Sequence, residues 1–224
     1  QGGITGGGLV YGDTSAALEF VTEEYYRSVW SRWNTPEQLD SMVHFKDRNE
    51  EGLLADRVQL YGMEQFPLDH LTVLEGDLSK LSEPGGRYVA AVYSDDDYGR
   101  PEMGSHWARL GDTVTIRYVE EYEYYNPDTG EVYGPWENVP EGANWVDRAV
   151  KYRDVEYEVA ALVTVPMALS YRYYGADEFI LNDQTFLQDT GTGDIMYYAF
   201  DVDDGATADM EGFLRDYTEN VNPQ

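Results

Sequence analysis

The chain has 224 residues and a formal net charge of −28, from 43 acidic against 15 basic side chains. This surplus of negative charge argues against binding to nucleic acid or to anionic lipid surfaces, because both need Lys and Arg. Hydrophobic residues make up 42% of the chain, enough for a packed interior, and the absence of cysteine excludes disulfides and thiolate metal sites.

The start of the chain is rich in glycine, and we expect Gln1–Asp13 to be a flexible lead segment. It lacks the basic and apolar regions of a signal peptide. Ala16–Trp33 is ambiguous: Leu18, Val21 and Tyr25 keep helical spacing, whereas the aromatic residues also suit a strand. We take this segment as a helix. No run of about 18 apolar residues occurs, so we expect no part of the chain to span a bilayer.

The next segment carries a clear helix start. Thr35 is suited to the N-cap, Pro36 to the first helical position, and Gln38 to closing a capping box. The apolar face that follows consists of Leu39, Met42 and Val43. This pattern predicts a helix of about ten residues.

The middle of the chain alternates in the manner of strands and is punctuated by turns rich in Gly, Pro and Asn. The predicted strands are Arg57–Tyr61, Leu71–Leu74, Tyr88–Tyr93, Thr113–Tyr125, a return strand from Glu131, one or two strands within Val150–Val165, Glu178–Leu181 and Ile195–Val202. The polar segment Ser94–Arg109 reads as a loop, and Ala168–Tyr174 as a short helix or turn. The fold class predicted is therefore α+β.

A final amphipathic helix is predicted over residues 207–219. Thr207 is suited to the cap, and Asp209 and Glu211 would lie in the first turn, where negative charge is favourable. One face would carry Met210, Phe213, Leu214 and Tyr217. With Ile195–Val202 this helix would form one packed unit.

Aromatic residues gather around the hairpin at Asn126–Gly130. Alternation along a strand places Tyr122 and Tyr124 on one face. This pattern is typical of a sheet face covered by aromatics, and it also suits an exposed platform for a peptide, a glycan or a second protein. The candidate partner surface comprises Tyr122, Tyr124, Tyr133, Trp136 and, from a second aromatic run, Tyr173.

Catalytic and metal motifs are weak. The three histidines, His44, His70 and His106, are scattered singly, a pattern typical of structural residues. Asp201–Gly205 has the wrong register for a calcium loop, and Asp95–Asp97 is at most a weak Ca²⁺ site. Paired carboxylates of the kind that glycosidases use arise by chance among 43 acids. We therefore predict no catalytic residue, no metal and no cofactor.

Two strands carry a family resemblance. Gly111–Ile116 begins with a Gly-Asp turn and continues as an alternating strand, and the more apolar strand Tyr157–Val163 follows about forty residues later. This pair resembles the extracytoplasmic, MacB-type periplasmic core-like domain of FtsX-like ABC transporter permeases, in particular those of Gram-positive bacteria. Further segments in matching order are Val73–Leu78, Arg87–Ala90, Glu178–Asn182 and Met196–Asp201, with the helix Met210–Tyr217 after the last.

The resemblance implies a non-catalytic domain on the extracytoplasmic side of the cell membrane, attached through flanking helices absent from this chain. Its partners would be the rest of the permease and its ATPase, with a peptide, lipid or protein as substrate. It also implies a porter-like βαβ lobe of residues 1–85 and 190–224, and an inserted β-rich lobe of residues 86–189. If it holds, both ends of the chain should lie close together at one end of the domain.

The alternative is a secreted carbohydrate-binding module or an acidic glycoside hydrolase. Its basis is the number of Tyr, Trp and carboxylate side chains. It predicts a cleft lined by aromatics with two facing carboxyl groups.

Overall fold

A computed structural model describes residues 4–13, 17–166, 176–191 and 193–202, together with Gly212 and Arg215. The strands are β1 (Ile4–Asp13), β2 (Ala17–Val21), β3 (Leu54–Met63), β4 (Thr72–Gly76), β5 (Tyr88–Val92), β6 (Thr113–Tyr125), β7 (Val132–Gly134), β8 (Val146–Thr164), β9 (Asp177–Asn182) and β10 (Ile195–Val202). The helices are α1 (Glu23–Trp30), α2 (Pro36–Phe45), α3 (Gln65–Asp69) and α4 (Asp183–Thr190), with short 3-10 turns at Leu78–Ser82 and Trp136–Asn138.

The fold class is α+β, as predicted, and all ten strands belong to one mixed sheet. Six of them close into a barrel in the order β3-β2-β6-β8-β5-β9, because β9 returns to pair with β3. The pairs β3–β9 and β5–β8 are parallel, and the other four pairs of the ring are antiparallel. A barrel this small is filled by its own side chains.

Alternate residues of the six strands fill the barrel, as the period of two in a strand requires. The interior side chains are Ala17, Val58, Leu60, Val89, Ala91, Val114, Ile116, Tyr118, Tyr157, Val159, Leu162, Phe179 and Leu181. Phe186 of α4 closes one end of this core. At the other end α1 and α2 form a cap, in which Tyr26 and Val43 pack on Val21 and Leu54.

A second layer covers part of the barrel's outer surface. Leu68 of α3 and Leu81 of the first 3-10 turn pack against outward-facing side chains of β3, β8 and β9. β1 and β10 extend the sheet here, with Val10 fully buried. Their antiparallel register places Ile4 opposite Val202, so the two outer ends of this strand pair lie at the same point of the sheet.

The prediction of a flexible segment over Gln1–Asp13 is wrong, because residues 4–13 form strand β1. Its glycines are covered by side chains from neighbouring elements. A Cβ at Gly7 would collide with the Tyr198 ring, and a Cβ at Gly12 with the Met196 thioether. Glycine in a strand interior often marks such a close approach, and these contacts come from residues distant in sequence.

The prediction of one helix over Ala16–Trp33 is also wrong in its first part. Ala17–Val21 forms β2, which pairs with both β3 and β6. The helix begins only after Thr22, whose side chain accepts a hydrogen bond from the Tyr25 backbone N–H at 3.2 Å. Tertiary pairing thus outweighs the helical spacing of Leu18 and Val21.

Other predicted elements are confirmed. The capping box of Thr35 and Gln38 forms, and α2 covers ten residues. The bounds predicted for Thr113–Tyr125 and Ile195–Val202 match β6 and β10. The strand predicted within Val150–Val165 is a single long one, β8, that begins earlier, at Val146. Two short helices, α3 and α4, were not predicted.

Several predictions fall outside the described residues. They concern the turn or helix at Ala168–Tyr174 and most of the helix at residues 207–219. Within the latter, Gly212 and Arg215 are described, and both are helical. The division into lobes of residues 1–85 and 190–224 and of residues 86–189 stays a prediction, and strands of both segments share one sheet. In the described part of the chain, no helix has the length and apolarity needed to cross a bilayer.

Candidate functional site

The long strands β6 and β8 continue past the barrel as a two-stranded arm. We call residues 119–154 the arm. Its register runs from Val119 opposite Tyr152 to Tyr125 opposite Val146, and β7 adds a short third strand beside Tyr124. The turn at Asn126–Gly130 forms as predicted, with the Asn126 side chain accepting from the backbone N–H of Asp128 at 2.9 Å.

Three rings of the arm form a mutual cluster, which we call the ring cluster: Tyr124, Trp136 and Trp145. Each pair meets edge to face, with centroids 5.7 Å apart for Tyr124–Trp136, 5.3 Å for Tyr124–Trp145 and 4.8 Å for Trp136–Trp145. Such geometry is the favourable one for aromatic pairs. Trp136 remains 55% exposed and Trp145 37% exposed, so the cluster presents apolar surface to solvent.

The predicted surface residues meet only in part. Tyr124 and Trp136 belong to the ring cluster, whereas the Tyr133 hydroxyl lies by the turn and accepts a hydrogen bond from Asn126 at 3.2 Å. Tyr122 faces a cleft beside the cluster. Tyr173 lies outside the described residues. Sequence reasoning missed Trp145, which directly precedes β8 and is next in the chain to Val146, the partner of Tyr125.

The cleft separates the arm from the helical cap. This arm cleft has a volume of about 650 Å³, and its apolar walls are Trp30, Met42, Phe45, Tyr122 and Trp145. Charges of both signs line it: Lys46, Arg57 and Arg148 against Asp47, Asp56 and Asp147. Its size falls within the range of about 300–1,000 Å³ that ligand pockets occupy.

Inward-facing carboxyl groups lie at the capped end of the barrel. We call Glu19, Asp56 and Asp177 the acid layer. Glu19 stands opposite Asp56 in the β2–β3 pairing, and Asp177 opposite Val58 in the β3–β9 pairing. Alternation places each on the interior face of its strand, like Ala17, Val58 and Phe179. Three neighbouring strands thus bring three acids together.

Each acid of the layer has a different partner. Asp56 accepts from Lys46 Nζ at 2.7 Å, and Asp177 accepts from the Tyr25 hydroxyl at 2.7 Å. Glu19 is 1% exposed and accepts from the Trp107 indole N–H at 2.8 Å. Burial, and then the neighbouring Asp177 carboxyl, raise the pKa of Glu19 well above its ordinary value.

A second cavity adjoins this layer. The barrel-end cavity has a volume of about 470 Å³ and is lined by residues of α1, β9 and the 94–112 loop, which joins β5 to β6. Among these residues are Tyr25, Trp33, Ser105 and Asp177. It therefore has aromatic walls and carboxylates, as the carbohydrate alternative predicts. However, Asp177 is engaged by Tyr25, and Glu19 is shielded from solvent, so these two acids do not face the cavity as a free pair.

The opposite end of the barrel is closed by a charged cluster around Asp189 of α4. The Tyr157 hydroxyl donates to the Asp189 carboxylate at 2.6 Å, and Arg87 forms an ion pair with it. Burial raises the pKa of Tyr157, so this phenol stays neutral and donates. Asp189 is buried and these groups hold α4 on the barrel, which indicates a structural role.

The histidines occupy three separate environments. His44 contacts Phe45, the Nδ1 atom of His70 lies 2.8 Å from the Phe66 carbonyl oxygen, and His106 is buried against Phe179. Burial lowers the pKa of His106. Among the described residues, no group of three His, Asp or Glu side chains is placed to hold a metal. In the 95–97 run, Asp96 is occupied by Arg100 and by the backbone of its own loop.

Comparison with protein-family models and with curated proteins gave no match. Among solved structures, the chain is similar to the extracellular domain of the noncanonic ABC-type transporter YknZ from Gram-positive bacteria. The similarity covers 99% of this chain and 79% of that one, with 11% identity and a TM-score of 0.41.

Proposed function

We propose that this chain is a non-catalytic extracytoplasmic domain of an ABC transporter permease of the FtsX-like, MacB-type class. In this role it binds a partner or substrate outside the membrane and couples it to motion driven by ATP hydrolysis in a separate cytoplasmic subunit or domain. The order of the sequence motifs supports the class, and the sheet geometry supports the mode of attachment.

The observation that carries the proposal is the pairing of Ile4 with Val202. A domain inserted between two membrane helices must receive and return the chain at one place, because both helices enter the same bilayer. The first and last strands of the described residues, β1 and β10, are antiparallel neighbours, and this supports such an arrangement. A secreted module has no such constraint, so closeness of the two strand ends favours the inserted arrangement.

The reading frame around this chain provides the first test. We expect an apolar segment of about 20 residues on each side, long enough to cross a bilayer. A frame without such segments on either flank would overturn the proposal.

The side of the membrane is tested by labelling. The chain has no cysteine, so Trp136→Cys in the full-length protein introduces a unique exposed thiol within it, once any cysteines in the flanking parts have been replaced. A membrane-impermeant maleimide should label this thiol in intact cells, whereas the thiol of Val159→Cys, at a fully buried position, should stay unlabelled. If the Trp136→Cys variant were labelled only after lysis, the domain would lie inside the cell and the assignment would be refuted.

In this proposal the arm is the surface that contacts the partner. The residues involved are Tyr122, Tyr124, Trp136 and Trp145, with Tyr133 at the tip of the arm. Tyr173, which the sequence also predicted, lies outside the described residues. Exposed aromatic residues are the side chains that interfaces favour. In the full transporter, Trp136→Ala should reduce substrate-stimulated ATPase activity by about fivefold or more, the effect of losing about 1 kcal/mol of binding. Tyr98→Ala, at an 83% exposed position of another loop, should not. Equal activity of the two variants would remove the arm from the proposal.

A further inference from the structure

The acid layer supplies an inference that is independent of the transporter assignment. Glu19 is shielded from solvent and its hydrogen-bond donor is the Trp107 indole. Its neighbours across the sheet, Asp56 and Asp177, are acids. Among the described residues, Lys46 is bound to Asp56, and no cation forms an ion pair with Glu19. A buried carboxyl beside a second acid favours the form in which the pair shares one proton.

The groups around the pair join separate elements. Glu19 lies on β2 and Asp177 on β9, while Tyr25 of α1 bonds to Asp177 and Trp107 of the 94–112 loop bonds to Glu19. Two hydrogen bonds thus tie the helical cap and this loop to the barrel through one pair of acids. The same cap and loop provide walls of the barrel-end cavity, including Ser28, Val29, Ser94 and Ser105.

The other titratable and charged groups facing the pair do not neutralise it. Burial lowers the pKa of His106, which leaves the ring uncharged, and its Nε2 faces the Glu178 backbone without meeting hydrogen-bond geometry. The Tyr25 phenol is neutral, because burial and Asp177 raise its pKa. The remaining groups are Asp56 with Lys46 on the β3 side, Tyr93 after β5, and Arg109 of the loop, whose guanidinium donates to the Tyr93 hydroxyl and the His106 carbonyl. The Glu178 side chain lies on the other face of β9, where it accepts from the Tyr61 hydroxyl at 3.0 Å.

We propose that Glu19 and Asp177 form a proton-dependent latch, which fastens α1 and the 94–112 loop to the barrel when the pair holds a proton. Loss of that proton places two carboxylates together in a buried site and loosens both attachments. The barrel-end cavity then widens, since its walls belong to the released elements. The latch is tightest at acidic pH and weakens as the pH rises.

The direction of this pH dependence follows from the linkage between proton binding and closing of the latch. The pKa of Glu19 is raised in the closed state, so its contribution is fully present below the ordinary carboxyl pKa. It is then lost as the pH rises from that ordinary value through the raised one. In this window, one proton taken up on closing changes the closing equilibrium by up to about tenfold per pH unit.

Amide hydrogen exchange, corrected for the intrinsic pH dependence of exchange, tests the latch. In the wild-type chain, protection of the segment 22–31 should fall with rising pH by up to about tenfold per unit. Protection of α4, at the opposite end of the barrel, should change much less. In Glu19→Gln, which cannot ionise, the 22–31 segment should lose this pH dependence. The matched control Glu24→Gln, an exposed acid of α1, should keep it.

Asp177→Asn provides a second variant in case Glu19→Gln fails to fold. It removes the acidic neighbour, so the fall in protection should be complete at lower pH than in the wild type. An equal slope in the wild type and Glu19→Gln would overturn the latch. A wild-type slope that is the same in α1 and α4 would overturn it too, because it would indicate a global effect of the net charge.

Discussion

The contact between Gly62 of β3 and Phe186 of α4 allows the closed end of the barrel to be tested quantitatively. Phe186 is fully buried and stacks on Tyr11, with ring centroids 6.3 Å apart. A Cβ at Gly62 would lie 2.5 Å from Phe186 Cβ and Cγ and 2.8 Å from Cδ1. Two of these three atoms belong to the rigid start of the side chain, so the ring cannot simply swing away.

Two opposing effects decide the outcome of Gly62→Ala. Replacing glycine in a strand gains about 0.5–1 kcal/mol of stability from the lower entropy of the unfolded chain. Overpacking a core costs about 1–3 kcal/mol. Since all three contacts are at or below 2.8 Å, we expect the clash to outweigh the gain and the variant to be destabilised by about 1–2 kcal/mol.

The double variant gives the decisive comparison. Phe186→Ala alone should cost about 3–5 kcal/mol through the cavity that it leaves. It also removes two of the three close contacts, so Gly62→Ala should be cheaper in that background by about 1 kcal/mol. Urea unfolding followed by tryptophan fluorescence measures all four free energies of unfolding.

Gly104→Ala is the matched control, since a Cβ there meets no atom within 4 Å, and its stability should equal that of the wild type or exceed it slightly. Additivity of the two substitutions within about 0.3–0.5 kcal/mol would refute the reasoning. So would a Gly62→Ala variant that is as stable as the wild type.

Three further predictions concern single groups. Thr35→Ala removes the cap of α2 and should lower the free energy of unfolding by about 1 kcal/mol, and the Gln38 backbone N–H, which loses the Thr35 hydroxyl as its acceptor, should exchange faster. Asp189→Ala should cost about 1.5–3 kcal/mol in urea unfolding because it strips a buried acceptor from Tyr157, whereas the control Glu120→Ala, which breaks the exposed pair with Lys151, should cost no more than about 1 kcal/mol. Burial raises the pKa of Tyr197 to about 12, so its contribution to stability should be intact below the usual phenol pKa of about 10 and lost on going through 12. Ultraviolet titration against Tyr197→Phe should show one phenol fewer ionising near that upper value.

Local signals in the sequence succeeded where the structure depends on neighbouring residues. The capping box at Thr35 needs only the four consecutive positions Thr35–Gln38, and alternation over Thr113–Tyr118 identifies β6 without reference to its partners. The Asn126–Gly130 turn is equally local, and its Gly130 takes a positive φ of 72°. α4 carried such signals too, since Asn182 caps it and Gly191 ends it, and they were overlooked.

Features that depend on distant residues were not predictable in this way. Nothing in the first twelve residues shows that Tyr198 and Met196 cover the glycines of β1. The acid layer is similar: Glu19, Asp56 and Asp177 are far apart in sequence and meet only because β2, β3 and β9 are adjacent. In an acidic chain these three carboxylates could not be told from the others until the barrel was known.

The register of β1 and β10 determines how the domain would respond to mechanical load. Because Ile4 and Val202 face each other at one end of the pair, a force that separates them acts across the ladder and not along it. The hydrogen bonds would then open one after another, as in a zipper, and each would carry nearly the whole load in turn. Little of that force would be transmitted to the barrel until the last pair, Tyr11 and Ile195, had separated.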